Sequence, residues 1–395
     1  MFKKVIIVLS FFLLAFPAFP ILPQLSEESK VVMFTAGPGL ELYAGFGHSA
    51  LWISDPVNKV DRLYNYGTFD FDTPNFYGKF VRGKLDYILS VYPFRYFIED
   101  NSSSKRLVTG QLLNLNLAEK QRMFEYLENN ALPEHCFYKY DFLWDNCSTR
   151  IRDVLTKTID GKLDFNTRDV NISFRKMLYP YLTYTPWTKF GINMILGLPS
   201  DRKATPWEYM YLPESMRIAF AGATIESNGV KRKLVTEERQ YLPCRLTFTN
   251  NKFDDPIPVF SMILLVIVLI TLYEWKKNMR FKWMDYILFT ISSIAGLFLF
   301  FMWVGTDHAA TAKNMNVLWL FPAQALFLVS FFFRNELRRK MILTAFIYQF
   351  LVSFIMFIWP QDAEISFMII SFVFVVRIGS SFIRIQHQKA ISYFH

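Results

Sequence analysis

The chain is poor in the residues that hold metals. Its 395 residues include only five histidines and three cysteines, and no spacing among them fits a zinc site. Neither a glycine-rich phosphate loop nor a dinucleotide fingerprint occurs. Nothing in the sequence therefore calls for a metal or a cofactor. Internal repeats and low-complexity tracts are also missing. The three cysteines, Cys136, Cys147 and Cys244, form an odd set that leaves at least one thiol unpaired. Pairing Cys136 with Cys244 would free Cys147.

What the chain has in excess is apolar side chains: 52% of residues are hydrophobic and 42 are phenylalanine. That is too apolar for an ordinary soluble protein of this length. The excess concentrates in the last third. Five runs follow Pro256: Ile257–Tyr273, Tyr286–Gly305, Val317–Phe333, Met341–Trp359 and Ile365–Ile383. Each approaches the ~20 residues that cross a bilayer as a helix, and within lipid an unbroken apolar run closes its own backbone bonds only as a helix. The expectation is a bundle of five transmembrane helices over residues 256–395.

Loop charge orients the bundle. Lys276, Lys277, Arg280 and Lys282 follow the first run, Arg334, Arg338, Arg339 and Lys340 follow the third, and Arg384 and Lys389 follow the fifth, with Arg377 in its last turns as a cytoplasmic-end anchor. The alternate loops hold a single lysine and no arginine. Basic loops stay cytoplasmic, so everything before Pro256 is expected outside. Lys3 and Lys4 ahead of apolar Val5–Phe16 agree: residues 1–20 read as a secretory signal or an uncleaved anchor. These cytoplasmic ends account for the whole net charge of +9, so the basicity marks topology and nucleic acid is not an expected partner.

Residues 28–255 are expected to form the exported domain. Ser49–Ile53 and Lys59–Tyr66 read as strands around an Asp55-Pro56-Val57-Asn58 turn. Leu117–Asn130 has helical periodicity, Phe137–Trp144 reads as strand, and Ile151, Val154, Leu155 and Thr158 fall at helical spacing after Cys147. In the stretch rich in Tyr, Trp and Pro up to Leu212-Pro213 the sequence places few elements.

Cys147 stands out. Asp145 or Asn146 can cap the helix that follows, which puts the thiol on its first turn, where the helix dipole favours a thiolate. The competing reading is a small buried hydrophobe, the usual fate of a free cysteine. A nucleophilic thiol needs a base, and the base an orienting group. His48, between Gly47 and a strand, is the only histidine in the first 130 residues. With a tight turn at Asp55–Asn58 the hairpin sets His48 opposite Asn65, close enough to hold the imidazole. A one-residue slip would break that pairing, and Asp70 is the alternative orienter. His135 reads as structural. The outer loop of the third run carries His308, Asn314, Asn316 and Trp319, polar and interfacial groups placed to hold a lipid head group or a substrate's peptide end.

Together these motifs carry a resemblance: Gly47-His48-Ser49-Ala50, then Tyr64-Asn65-Tyr66-Gly67-Thr68-Phe69-Asp70, then Asp145-Asn146-Cys147-Ser148-Thr149-Arg150, then the His308–Trp319 segment. In this order they resemble the Lnb family, lipoprotein N-acyltransferases of diderm bacteria that lack the better-known nitrilase-like enzyme for the step. The exported part also resembles the circularly permuted papain-like fold of NlpC-type peptidases and lecithin–retinol acyltransferase-like proteins, in which the His strand precedes the Cys helix. The resemblance implies an α+β thiol acyltransferase domain in the periplasm, anchored in the cytoplasmic membrane by the helical bundle. It implies an acyl chain moved from a membrane phospholipid to the α-amine of a diacylglyceryl-cysteine lipoprotein through a Cys147 thioester. His48 would be the base, Asn65 its orienter, and the helix start around Asp145 and Asn146 the oxyanion support. A cell-wall thiol endopeptidase or amidase, a phospholipase, and a non-catalytic lipid- or lipoprotein-binding module are the rival expectations.

Overall fold

The structure is a computed structural model and describes residues 22–167, 170–247 and 255–393. The expected signal or anchor segment lies outside the described residues, as does most of the polar stretch ahead of Pro256.

The N-terminal part is built on an antiparallel sheet in the order β10-β5-β1-β2-β3-β4-β6. Its strands are β1 (Lys30–Ala36), β2 (His48–Asp55), β3 (Val60–Thr68), β4 (Asp86–Tyr92), β5 (Val108–Leu113), β6 (Phe137–Lys139) and β10 (Val235–Leu242). A small second sheet joins β7 (Lys162–Asp164), β8 (Thr224–Ser227) and β9 (Val230–Lys233). The alternation of strand side chains loads both faces of the main sheet. Met33, Leu51, Ile53 and Tyr64 face a core shared with Phe124, Leu127, Ile151 and Leu155, which come from the Leu117–Asn130 and Cys147–Thr158 helices. Phe34, Ala50 and Leu63 face the other way, against Phe97 and Trp52. Each such fully buried large side chain contributes about 1.5–3 kcal/mol. The thiol helix is thereby pressed onto the centre of the sheet.

The β2–β3 hairpin is where the expected register fails. Asp55 pairs with Val60 and Leu51 with Tyr64, so the ladder is shifted by two residues from the tight-turn register. The cause is the loop. Asp55 accepts the N–H groups of Val57 and Asn58, and Lys59 turns left-handed at φ 55° before the strand resumes. The loop is thus four residues long, and the same register carried one step past Leu51–Tyr64 sets Asn65 across from Ala50. A shift of two keeps every side chain on its face, so Asn65 remains a diagonal neighbour of His48, within side-chain reach.

Other expectations are also corrected. All three cysteines are free: Cys136 and Cys147 are buried and Cys244 is exposed, so the Cys136–Cys244 disulfide is absent. The run Phe137–Trp144 is strand only to Lys139. Beyond it Asp141 and Asp145 form a tight bridge, held by the Asp141 carboxylate on the N–H groups of Leu143 and Trp144.

In the C-terminal part, among the described residues, three helices are long and apolar enough to cross a membrane: Pro256–Lys276, Lys282–Val304 and Ile365–His387. The third expected run is broken into Asn316–Leu320 and Pro322–Ser330, because Pro322 has no N–H to continue a helix. The fourth lies in Asn335–Ile355, whose first turns carry Glu336, Arg338, Arg339 and Lys340. The loops poor in lysine and arginine are the ones that touch the N-terminal part. The Asp307 N–H donates to the Arg82 carbonyl, Asn314 Nδ2 to the carbonyls of Met194 and Ile195, and the Asp362 N–H to Asp201. Residues 174–201, within the stretch where the sequence places few elements, make most of this junction. Arg175 is fully buried there and binds Asp201, the Asn193 side chain and the carbonyls of Leu196 and Gly197.

Candidate active site

Asn146 sets the position of Cys147. Its Oδ1 accepts the N–H groups of Ser148 (2.9 Å) and Thr149 (3.1 Å), and the Thr149 hydroxyl accepts the Asn146 N–H in return. Its Nδ2 donates to the carbonyls of Phe142 and Tyr211, which fixes the cap itself. Cys147 is thus the first residue of its helix, and the cap leaves its N–H out. Asp145 plays no part in the cap: it makes a two-bond ion pair with Arg150 at 2.5 and 2.7 Å.

Two glycines make room for the partners. Gly47 has φ +84°, and a Cβ there would meet the Ala36 carbonyl at 2.9 Å, so the entry into His48 requires glycine. Gly67 has φ +91° and lies against Cys147, Tyr138 and Tyr140. It sits at an irregularity of the β3–β4 ladder, a device that re-aims neighbouring side chains.

His48 Nε2 lies 2.5 Å from Asn65 Oδ1. Asn65 Nδ2 donates to the Tyr92 hydroxyl at 2.6 Å, which orients the amide so that its oxygen faces the ring. Nε2 then carries the proton, and Nδ1 is left for Cys147. The electrostatics of the pair are reciprocal. Burial works against charge on either group, but the Cys147 thiolate and Asn65 hold the His48 imidazole above its ordinary range. Burial likewise opposes the thiolate, yet the His48 charge, the Ser49 N–H and the Ser148 hydroxyl hold Cys147 below its ordinary range. The two shifts run toward each other, the thiol down and the imidazole up, which is the direction an activated thiol needs.

Three neighbours escaped the sequence. Arg106 is buried, binds the Gly37 carbonyl through Nε, and leaves one terminal nitrogen unpartnered; its charge works against protonation of His48. The Tyr138 hydroxyl is buried without a partner and borders Gly67 beside Cys147. Tyr140 is half-buried there, its hydroxyl pushed far up by desolvation and by the Cys147 charge.

The remaining expected site residues lie elsewhere. Asp70 is exposed and caps its own turn through the Asp72 N–H, far from the role of orienter. His308 Nε2 meets the Phe80 carbonyl at 2.9 Å. Asn316 donates to the carbonyls of Asn193 and Met194 and accepts the indole N–H of Trp319, which is fully buried against Phe367. With Asn314, these groups make hydrogen bonds at the junction between the two parts. His135 is exposed and meets the Asn129 carbonyl.

Comparison with known families assigns the chain. Residues 24–185 match the Lnb N-terminal periplasmic domain, and residues 248–389 match the Lnb transmembrane domain. The chain belongs to the Lnb family. No curated protein and no solved structure matches it. Lnb membership makes this a membrane protein whose N-terminal domain, with His48, Asn65 and Cys147, is periplasmic. Neither match includes residues 186–247, which hold the junction helix Pro186–Ile195 and edge strand β10.

Proposed function

We propose that this Lnb-family protein is a lipoprotein N-acyltransferase, and that Cys147, His48 and Asn65 are its nucleophile, base and orienting group. The observation that carries the reading is the mutually stabilised Cys147–His48 pair, held in a periplasmic domain that is fastened to the outer loops of a membrane bundle. On this reading the domain is a permuted papain-like one. All five apolar segments are embedded in the cytoplasmic membrane, with the broken third segment among them.

The steps follow from the ion pair. The Cys147 thiolate attacks the carbonyl carbon of a phospholipid ester. The oxyanion is met by the Cys147 N–H, which the Asn146 cap leaves out, and by the Tyr138 hydroxyl, which is buried without a partner and borders Gly67 as Cys147 does. The intermediate collapses, the C–O bond breaks, and the lysophospholipid leaves with the proton from His48. The acyl chain is then a Cys147 thioester and His48 is neutral. The α-amine of a diacylglyceryl-cysteine lipoprotein attacks the thioester, His48 takes the amine proton, and the thiolate leaves. The ion pair is restored. Both substrates have their tails in the bilayer, which accounts for fastening the domain there rather than tethering it loosely. A dry approach also protects the thioester from water.

The test is a mass assay. Purified protein is incubated with a phospholipid and a diacylated lipopeptide. A gain of one acyl chain on the peptide with wild type, lost with Cys147→Ser and His48→Ala, supports the reading. Lysophospholipid and free fatty acid without peptide acylation would instead identify a lipase. No change in either substrate would refute transfer and return a peptidase or a binding module.

A further inference from the structure

A band of exposed aromatic residues flanks the catalytic pair. Tyr43, in the loop leading to His48, is 74% exposed, while Phe71 and Tyr77, beyond the end of β3, are 65% and 77% exposed. They are not scattered. Tyr43 meets Phe69, Phe69 meets Phe71 and Phe76, and Phe76 meets Tyr77 and Phe80, with ring centroids 4.9–6.5 Å apart. Soluble surfaces rarely spend so many rings in one patch, and such patches mark a binding or membrane surface.

Two further observations say what covers it. The patch is continuous with the membrane part: the Phe80 carbonyl meets His308 Nε2, the Arg82 carbonyl accepts the Asp307 N–H, and Gly83 packs against Asp307 and His308. Those residues directly follow the apolar Lys282–Val304 helix, so the patch stands at the end of that helix. The patch also leads inward. Phe69 packs on Tyr87 at 5.4 Å, Tyr87 stacks on Tyr140 at 4.4 Å, and Tyr140 borders Gly67 next to Cys147. Charges around the rim are mixed: Lys79, Arg82 and Lys84 against Glu41, Asp70 and Asp72. The rings, rather than a charge field, therefore set the affinity.

We infer that this aromatic rim dips into the periplasmic leaflet and forms a wall along which a fatty acyl chain of a bilayer lipid passes to Cys147. Aromatic side chains favour the membrane interface, where an apolar ring and a wet edge are both accommodated. The rim makes the donor a lipid still in the bilayer. The chain would slide from the leaflet past Tyr43 and Phe69 to the thiol without crossing water. The identity of the cargo rests on the acyl-transfer reading, but the depth of the rim in lipid does not.

Depth is therefore what to measure. A nitroxide spin label is placed at Leu42→Cys or Tyr77→Cys in the full chain carrying Cys136→Ser, Cys147→Ser and Cys244→Ser, reconstituted in phosphatidylethanolamine–phosphatidylglycerol vesicles. Power saturation compares collisions with oxygen, which partitions into lipid, and with a water-soluble nickel chelate. Val57→Cys is the reference: it is also exposed and apolar but lies at the far turn of the β2–β3 hairpin. The expected result is oxygen-dominated relaxation at 42 and 77 and nickel-dominated relaxation at 57. Nickel-dominated relaxation at all three sites would overturn the rim, whatever the wild-type protein does in the mass assay. A wild type that transfers nothing would leave an oxygen-dominated rim standing and would sink only the assigned cargo.

Discussion

Two sets of buried polar side chains carry opposite lessons. In the membrane part, Arg377 is buried and bonds Glu274, Asp285 and Thr271, while Arg280 closes on Asp285 from the other side. Two arginines face two carboxylates, and each charge has its partner. Asn314, Asn316 and Trp319 are spent in the same way on the junction. In the periplasmic domain, buried Cys147 and half-buried His48 are each stabilised chiefly by the other's charge, the Tyr138 hydroxyl near them is buried without a partner, and the Asn146 cap leaves the Cys147 N–H out. A saturated network holds a fold. A pair with idle donors beside it has capacity left for a reacting group.

The comparison can be broken at several points. The largest effect is expected at the unsaturated site: Cys147→Ser should cut acyl transfer at least about 10⁴-fold with the melting temperature unchanged. Arg377→Ala should do the reverse. It strands Glu274 and Asp285 in the bundle and should cost about 3–5 kcal/mol of stability, read as lost folded protein in detergent, with turnover per folded molecule retained.

Asn65→Ala lies between these two in effect and sharpens the site. Its bond favours the charged imidazole, so its loss lowers the pKa of His48, and a weaker His48 charge lets the Cys147 pKa rise. Activity requires the thiolate–imidazolium pair, which exists above the Cys147 pKa and below that of His48. The pH–rate bell should therefore narrow from both sides, with a fall of up to about 10²-fold at its top. An unchanged bell would remove Asn65 from the mechanism. Asn316→Ala tests the opposite assignment. If it only clamps the carbonyls of Asn193 and Met194, thermal stability should drop by about 1–3 kcal/mol with KM for the phospholipid unchanged; a raised KM would restore it to substrate binding. Smallest of all, Asp145→Asn weakens a half-exposed pair with Arg150 and should cost less than about 1 kcal/mol.

The sequence carried the residues of the site further than their surroundings. The Cys147 helix was legible because its cap and its apolar stripe are local signals, and Leu117–Asn130 was legible for the same reason, with Asn116 and Glu119 forming a capping box. The His48–Asn65 contact came out through a wrong register: the left-handed Lys59 lengthened the turn, a choice the Asp-Pro-Val-Asn run does not announce. Parity rescued the pairing. What stayed illegible is long-range. The partners of Arg175 lie 18 to 26 residues on, and Tyr138 reaches Cys147 only through the sheet. For His308 and Asn316 the sequence did not announce the carbonyls they meet, because polar residues in an outer loop look alike whether they meet a ligand or a carbonyl.

The central claim is a covalent acyl group on one sulfur. The direct measurement is the intact mass of the wild-type protein after incubation with a single defined phospholipid and no acceptor, quenched in acid. The account predicts a gain equal to that fatty acid less water, carried on Cys147, removed by neutral hydroxylamine and discharged when a diacylated lipopeptide is added. Acylation of the lipopeptide by a protein that never carries the acyl chain on Cys147 would contradict it.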